Sequence, residues 1–253
     1  SGIASCSTDV ILSSDGADQS ASGTCTDNAG NTSPTATASG INIDKTAPTV
    51  SVTGVADGAT YILGSVPTAG CDTQDALSEV ATAALLGLSG ANPDGSGTIT
   101  ATCAGALDYA GNSGSATATY TVLTPQEATA DIQDEIDGLV DDGVLKQGQA
   151  NGLTQPLNNA IRSLDKGKIK PACSQLSDFI EGVNAKTPTP LDAGAAADLI
   201  ADAEAIQGSI GCASGAGAAV GTDAATVTTG KSGIDANAEQ SNRVFLPLLA
   251  NSD

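Results

Sequence analysis

The chain has 253 residues, 29 acidic and 9 basic, for a net charge of -20; its aromatic rings are three Tyr and two Phe, and it has no Trp, Met or His. Without histidine, a His-based triad and a His-based zinc centre are excluded. So few rings and so much negative charge argue against base stacking and phosphate-backbone binding, and no apolar run of about 18 residues exists to span a membrane. A length near 250 allows one large domain or two to three small ones, and the composition points to small acidic modules.

The six cysteines, Cys6, Cys25, Cys71, Cys103, Cys173 and Cys212, fall two to a region. Many pairings are formally open; nearness in sequence favours Cys6–Cys25, Cys71–Cys103 and Cys173–Cys212 over six buried free thiols. No C-x-x-C spacing occurs, which argues against a redox dithiol or a thiolate metal site. Disulfides imply an oxidising compartment, so the expected location is extracellular or at a cell surface. No signal peptide is visible at Ser1, so the expectation is a processed start or a fragment.

Residues 1–123 read as β: rich in Thr, Ser, Val and Gly, with 11 acidic residues and Lys45 as the single base. Thr49–Val55, Thr98–Cys103 and Ser115–Val122 alternate apolar and polar, the pattern of half-buried strands. Asp57-Gly58, Asp94-Gly95 and Gly111-Asn112 mark turns. A repeat lies within this region: Asp27-Asn28-Ala29-Gly30-Asn31 returns as Asp108-Tyr109-Ala110-Gly111-Asn112, and Ser1-Gly2-Ile3-Ala4 aligns with Ser78-Glu79-Val80-Ala81.

Residues 46–122 resemble a bacterial immunoglobulin-like repeat of the kind strung along secreted and surface proteins. The likeness is carried by Thr46–Val52, Asp57–Tyr61, Gly70-Cys71 to Ala76-Leu77-Ser78 and the Asp108–Asn112 hairpin, with Ile41–Pro48 resembling the joint between consecutive repeats. The resemblance implies a β-sandwich at 46–123 in which Cys71 and Cys103 bridge the two sheets, and a role as spacer or adhesive stalk. Residues 1–45 align only with the rear part of such a module and lack its first strands. The expectation is an open edge and an uncovered apolar face made by Ile3, Val10, Ile11 and Leu12.

From residue 124 the period changes. Thr124-Pro125-Gln126-Glu127 is a helix start, with Pro at the first position and an acid in the first turn. Four stripes follow at helical spacing: Ile132, Ile136, Leu139 and Val140; Leu153, Leu157, Ile161 and Leu164; Leu176, Phe179, Ile180 and Val183 after Pro171; and Leu199, Ala203, Ile206 and Ile210 after Pro188-Thr189-Pro190. Short loops predict an antiparallel four-helix bundle over 124–212, with Cys173 and Cys212 at ends that meet. Leu153 to Leu157 with Ile161, and Gln175 to Asn184, resemble the FIMAH domain found near the C-terminus of secreted bacterial proteins, a likeness that implies no catalytic activity. Residues 213–243 read as a flexible linker, and Arg243–Ala250 is the most apolar octet of the chain.

The chemistry-bearing candidates are few. Asp27, Asn31, Asp44, Asp108 and Asn112 are candidate calcium ligands, against the plainer reading of the two loops as hairpin turns capped by Asp. Asp134, Asp137 and Asp141 share a helix face in the acidic run from Asp131 to Asp142, which reads as solvated surface. Paired carboxylates for glycoside hydrolysis would want an aromatic cleft, which five scattered rings do not supply. Asn31-Thr32-Ser33 is a glycosylation sequon, and Lys166, Lys168 and Lys170 read as a solvated loop. Val244, Phe245, Leu246, Leu248 and Leu249 form a candidate donor strand. The preceding linker has an r.m.s. span of about 30 Å and stretches to about 100 Å, enough to reach a neighbouring copy.

The sequence therefore predicts a multidomain, non-enzymatic extracellular protein: incomplete Ig-like module (1–45), complete Ig-like sandwich (46–123), FIMAH-like bundle (124–212) and extended tail (213–253). It has no cofactor unless calcium. Its expected partners are copies of itself, joined head-to-tail when the tail of one completes the first module of the next, and a cell surface or matrix. The alternative is a segment of a long adhesin or secreted-protein stalk, acting as spacer or binding module.

Overall fold

The computed structural model describes residues 1–212. Eleven strands precede four helices, so the β-then-α order expected from the change of hydrophobic period is present. Two compact units form: residues 1–56, 68–89 and 100–118 make the first, and 57–67, 90–99 and the chain from 119 onward make the second.

In the first unit, β1 (Ile3–Cys6) pairs with β3 (Cys25–Asp27), and β2 (Gly16–Gly23) pairs with β4 (Ala36–Ile43), both antiparallel. β5 (Thr49–Thr53) pairs antiparallel with β7 (Gly70–Gln74). A larger sheet has the order β6 (Thr60–Ile62), β11 (Ser113–Leu123), β10 (Gly97–Asp108), β8 (Val80–Thr82), with β9 (Leu85–Ser89) also on β10. Cys71 on β7 and Cys103 on β10 join the β5–β7 sheet to this larger one. Around that bridge Ala84, Cys103 and Ala106 are buried, with Val50, Val52 and Ala116 packed against them. This is the alternation read from Thr49–Val55 and Thr98–Cys103 put to use: one face of each strand turns to a common interior.

The repeat seen in the sequence is a repeat of structure. β2 and β3 together run from Gly16 to Asp27, and β10 runs from Gly97 to Asp108, aligned on the motif aspartate. Ile3 faces Asp27 across the β1–β3 pair, and Val80 faces Asp108 across the β8–β10 pair, each beside a register shift. β4 follows the first loop and pairs with β2, as β11 follows the second and lies beside β10. Between β1 and β2 the first copy has no counterpart of β9, and no residue from 1 to 47 is buried. Ile3 is 73% exposed, Val10 54% and Ile11 85%, while Leu12 is half-buried. Ile3 stands on β1, whereas Val10, Ile11 and Leu12 lie in the connection between β1 and β2. The four residues expected on an uncovered apolar face are thus one strand residue and three from the loop that follows.

The first two cysteines are not the counterparts of the second two. Cys25 lies two residues before its motif aspartate and Cys103 five before, and Cys6 faces Cys25 directly across β1 and β3. The Cys6–Cys25 bridge thus staples two strands of one sheet, whereas Cys71–Cys103 ties two sheets together.

In the second unit, α1 (Pro125–Asp141), α2 (Gln147–Leu164), α3 (Ile169–Asn184) and α4 (Ala193–Ser209) close into a ring of contacts, α1 on α2, α2 on α3, α3 on α4 and α4 on α1. Thr124 caps α1: its Oγ1 accepts from Glu127 N at 3.2 Å while Glu127 Oε2 accepts from Thr124 N at 2.8 Å. The core holds Ile132, Ile136, Leu153, Leu157, Leu176, Phe179, Val183, Leu199, Ala203 and Ile206, so all four stripes supply it. Leu191 and Leu145 join from the loops, and Ile62 joins from β6. Gly64, at φ +99°, lets the chain after β6 approach α4; a Cβ there would stand 2.6 Å from the Ser209 carbonyl oxygen. Cys173 and Cys212 are bridged, joining the first turns of α3 to the end of α4. Among the described residues no helix is long and apolar enough to cross a membrane.

Candidate functional site

The two Asp-x-Ala-Gly-Asn loops have the same internal wiring. Asp27 N donates to Asn31 O at 3.0 Å and Asp108 N to Asn112 O at 3.1 Å. Asn28 N donates to Gly2 O and Tyr109 N to Glu79 O, the aligned positions of the two copies. Gly30 and Gly111 take φ of +87° and +91°, the left-handed conformation the turn needs. Each aspartate then closes its loop with both oxygens. Asp27 Oδ1 and Oδ2 accept from Asn31 N at 2.9 Å and Nδ2 at 3.0 Å; Asp108 accepts from Asn112 N and Nδ2, both at 2.7 Å.

This wiring corrects the expected ligand set. Both asparagines aim the amide nitrogen at the aspartate, so they hold the loop as donors. Asp27 and Asn31 also stay with their own loop. Ser1 Oγ donates to Asp27 Oδ2 at 2.8 Å, and with the two Asn31 bonds holds the Asp27 carboxyl at about 2. The Asn31 side chain is the largest of these influences. The first loop is a turn in which the acid is satisfied.

The second loop has different surroundings. Asn112 Nδ2 also donates to Asp44 O at 3.3 Å, tying the loop to the joint between the copies. Three carboxylates meet here: Asp44 of the joint, Asp75 of the connection after β7 and Asp108 at the end of β10, each with an oxygen within 4.8 Å of the others. Asp108 is 3% exposed. Burial pushes its carboxyl up, but the Asn112 side chain and backbone and the Gly111 and Ala110 amides together hold it below the ordinary carboxylate range. Asp75 Oδ1 caps its own turn, accepting from Leu77 N at 3.1 Å and Ser78 N at 2.9 Å. Asp44 Oδ1 accepts from Thr46 N at 2.9 Å. Asp44 Oδ2 and Ser78 Oγ are shielded from solvent and have no hydrogen-bond partner.

Lys45, the one basic side chain of residues 1–123, does not relieve this charge. Its Nζ donates to Ser13 O at 2.6 Å, while Asp15 Oδ1 accepts from its backbone N and Asp15 Oδ2 from Thr46 Oγ1, each at 2.8 Å. A hollow of about 440 Å³ opens beside the cluster, with Asp44, Ser78, Glu79 and Tyr109 in its wall.

Of the five residues expected at a cation site, Asp44 and Asp108 come together, Asn112 links them as a donor, and Asp27 with Asn31 is elsewhere. Asp75 and Ser78 were missed. Ser78 was already visible as the counterpart of Ser1; Asp75 carried a weaker signal, an acid three residues before it. Asp134, Asp137 and Asp141 are exposed on α1, as the helix periodicity predicted. Val244, Phe245, Leu246, Leu248 and Leu249 lie outside the described residues.

The architecture is that of a β-rich segment with a partial internal repeat, followed by four helices stapled by a disulfide. Comparison with known families places a FIMAH domain at residues 129–208, spanning most of α1 to nearly the end of α4. No curated protein and no solved structure matches the chain.

Proposed function

We propose that the chain is a non-catalytic extracellular spacer: Ig-like modules in series that carry a FIMAH domain away from a point of attachment. The observation that carries this reading is the repeated wiring of the loops at Asp27 and Asp108, with the same strand partners around each. The same unit set out twice in tandem is what lengthens a stalk. An Ig-like sandwich at 46–123 is supported by the bridge between β7 and β10, which ties a two-stranded sheet to a larger one across a buried interior. A secreted location is supported by three disulfides with no free cysteine among the described residues.

One observation favours a second reading. With no buried residue from 1 to 47 and Ile3 73% exposed, the first copy needs strands from elsewhere. Those strands are either a preceding stretch of a stalk or the apolar segment 244–249 of another copy. The latter produces a head-to-tail filament.

Electron microscopy of the purified chain, with and without residues 243–253, separates the two. The spacer reading expects discrete particles in both samples and surface labelling of the producing cell by an antibody to the chain. Fibres that disappear on truncation replace it with the filament reading. Confinement of the chain to the cell interior overturns both.

A further inference from the structure

We infer that the free edge of β9 is a pairing surface for a second copy of this chain, the two β9 strands lying antiparallel about a two-fold axis at Gly87. Among the described residues β9 pairs with β10 and with no other strand. Its pairing is regular, running from Leu85 on Ala104 to Ser89 on Thr100 without a register shift, whereas the β1–β3, β2–β4 and β8–β10 pairs each carry one. A regular strand with one unpaired edge presents a row of backbone donors and acceptors that another strand can extend.

The side chains of β9 leave this edge open to such a partner. Leu86 faces Cys103 and Leu88 faces Ala101, and both partners are fully buried. Directly opposed residues of an antiparallel pair share a face, so the two leucines stand on the interior face of the sheet. Yet Leu86 is 38% exposed and Leu88 57%, so the interior stops short of β9. Sheet edges are usually blunted by charge, proline or a bulge. β5 and β7 also have an unpaired edge, but they show Thr49, Ser51 and Thr53, and Asp72 and Gln74, to solvent. β9 has no charge, proline or bulge, and no charged residue occurs between Glu79 and Asp94 in a chain of net charge -20.

The occupant is a second copy because Leu86-Gly87-Leu88 reads the same in both directions. Antiparallel pairing centred on Gly87 sets Leu86 against Leu88 of the second copy, and Leu88 against its Leu86, on the face that each chain leaves uncovered. Cross-strand apolar pairs of this kind are what stabilise a sheet. Two acidic chains repel on approach, and a run without charge is where they meet without opposing carboxylates. A basic partner finds no carboxylate on this strand to pair with. The contact is isologous and uses the edge up, so it closes at a dimer. It joins copies side by side and depends on neither the spacer nor the filament reading.

The test uses the full chain in sedimentation experiments over a range of concentrations. A strand of five residues makes a small contact, below about 1,200 Å² in total, so the dimer is expected to be weak and to form in the upper micromolar range. Leu88→Glu places a carboxylate on each side of the axis and raises the dissociation constant at least about tenfold. The melting of the monomer stays as it was, because Leu88 is 57% exposed. Gly87→Cys carries the test if Leu88→Glu does not fold: a Cβ at Gly87 meets only Thr102 O, at 3.9 Å. Across the axis the two positions lie roughly 4.5 to 5.5 Å apart, within reach of a disulfide, so air oxidation links two chains covalently. Leu85→Cys, set opposite Ser89 in this register, does not link them. Ile3→Glu, at an exposed apolar strand position of the first copy, dimerises as the wild type does.

A chain that stays monomeric into the millimolar range overturns the proposal. So does a dimer that Leu88→Glu leaves intact, or equal cross-linking of Gly87→Cys and Leu85→Cys. Loss of the dimer on removing residues 243–253, or in Ile3→Glu, also overturns it and assigns the contact to the tail or to the first copy. Surface labelling and fibre imaging test the readings above separately, so each can fail without the other.

Discussion

The two β copies share a turn and the strands beside it, and differ in how deeply these are buried. Both loops are built from an aspartate that closes on an asparagine two-handed, around a glycine of positive φ. In the second copy Asp108 is 3% exposed, Cys103 and Ala106 are fully buried, and strands β5 and β7 cover the sheet. In the first copy nothing up to residue 47 is buried. Local wiring therefore does not need a core: the turn is written in five residues, while burial depends on strands supplied from far away in sequence. The bridges follow the same division. Cys71–Cys103 joins two layers; Cys6–Cys25 joins two strands that are already neighbours.

That contrast can be broken first at the bridges. Replacing Cys71 and Cys103 by Ala empties the interior between two sheets and should cost about 3 kcal/mol, read as a fall in the denaturant midpoint. The same replacement at Cys6 and Cys25 should leave that midpoint nearly unchanged and raise hydrogen exchange only within residues 1–45, because no core hangs on it. Equal shifts from the two pairs would mean that the first copy is packed as tightly as the second. A smaller contrast lies at aligned strand positions. Ala101 is fully buried and its counterpart, Ser20, is exposed. Ala101→Leu should cost about 2 kcal/mol by overpacking, and Ser20→Leu no more than about 0.5 kcal/mol. A comparable loss at Ser20 would show that strands from another source cover this sheet in solution.

What the sequence made legible follows from the range of the interactions involved. The helices were readable because each stripe, such as Leu176, Phe179 and Val183, repeats within one element and the core simply sums the stripes. The Thr124 cap was readable because its partner, Glu127, is three residues away. Ile62 in the helical core was not: a three-residue strand carries no period, and its burial comes from the distant α4. The candidate cation site was half legible. Asp108 stood out by repetition and Asp44 by its place in the joint, but Asp75 joins them only through the pairing of strands far apart in sequence. The asparagines misled because a side-chain amide offers both oxygen and nitrogen, and only the folded loop decides which end is used.

The finest difference between the copies is in acid. Asp27 sits at about 2, below its ordinary 3.8, with the Asn31 side chain the main cause. A carboxyl whose folded value is depressed stabilises its loop above the unfolded value, and that contribution is lost as pH falls through the folded one. The first turn should therefore hold down to pH about 4 and loosen between there and about 2. The measurement is the Asn31 backbone amide followed by NMR in an acid titration, where its shift should move with a midpoint near 2. In Asp27→Asn that movement should vanish while the Asn112 amide keeps its own. A midpoint at 3.8 or above in the wild type would mean that Asn31 and Ser1 do not hold the carboxylate in solution. The likeness between the two loops would then be one of backbone path alone.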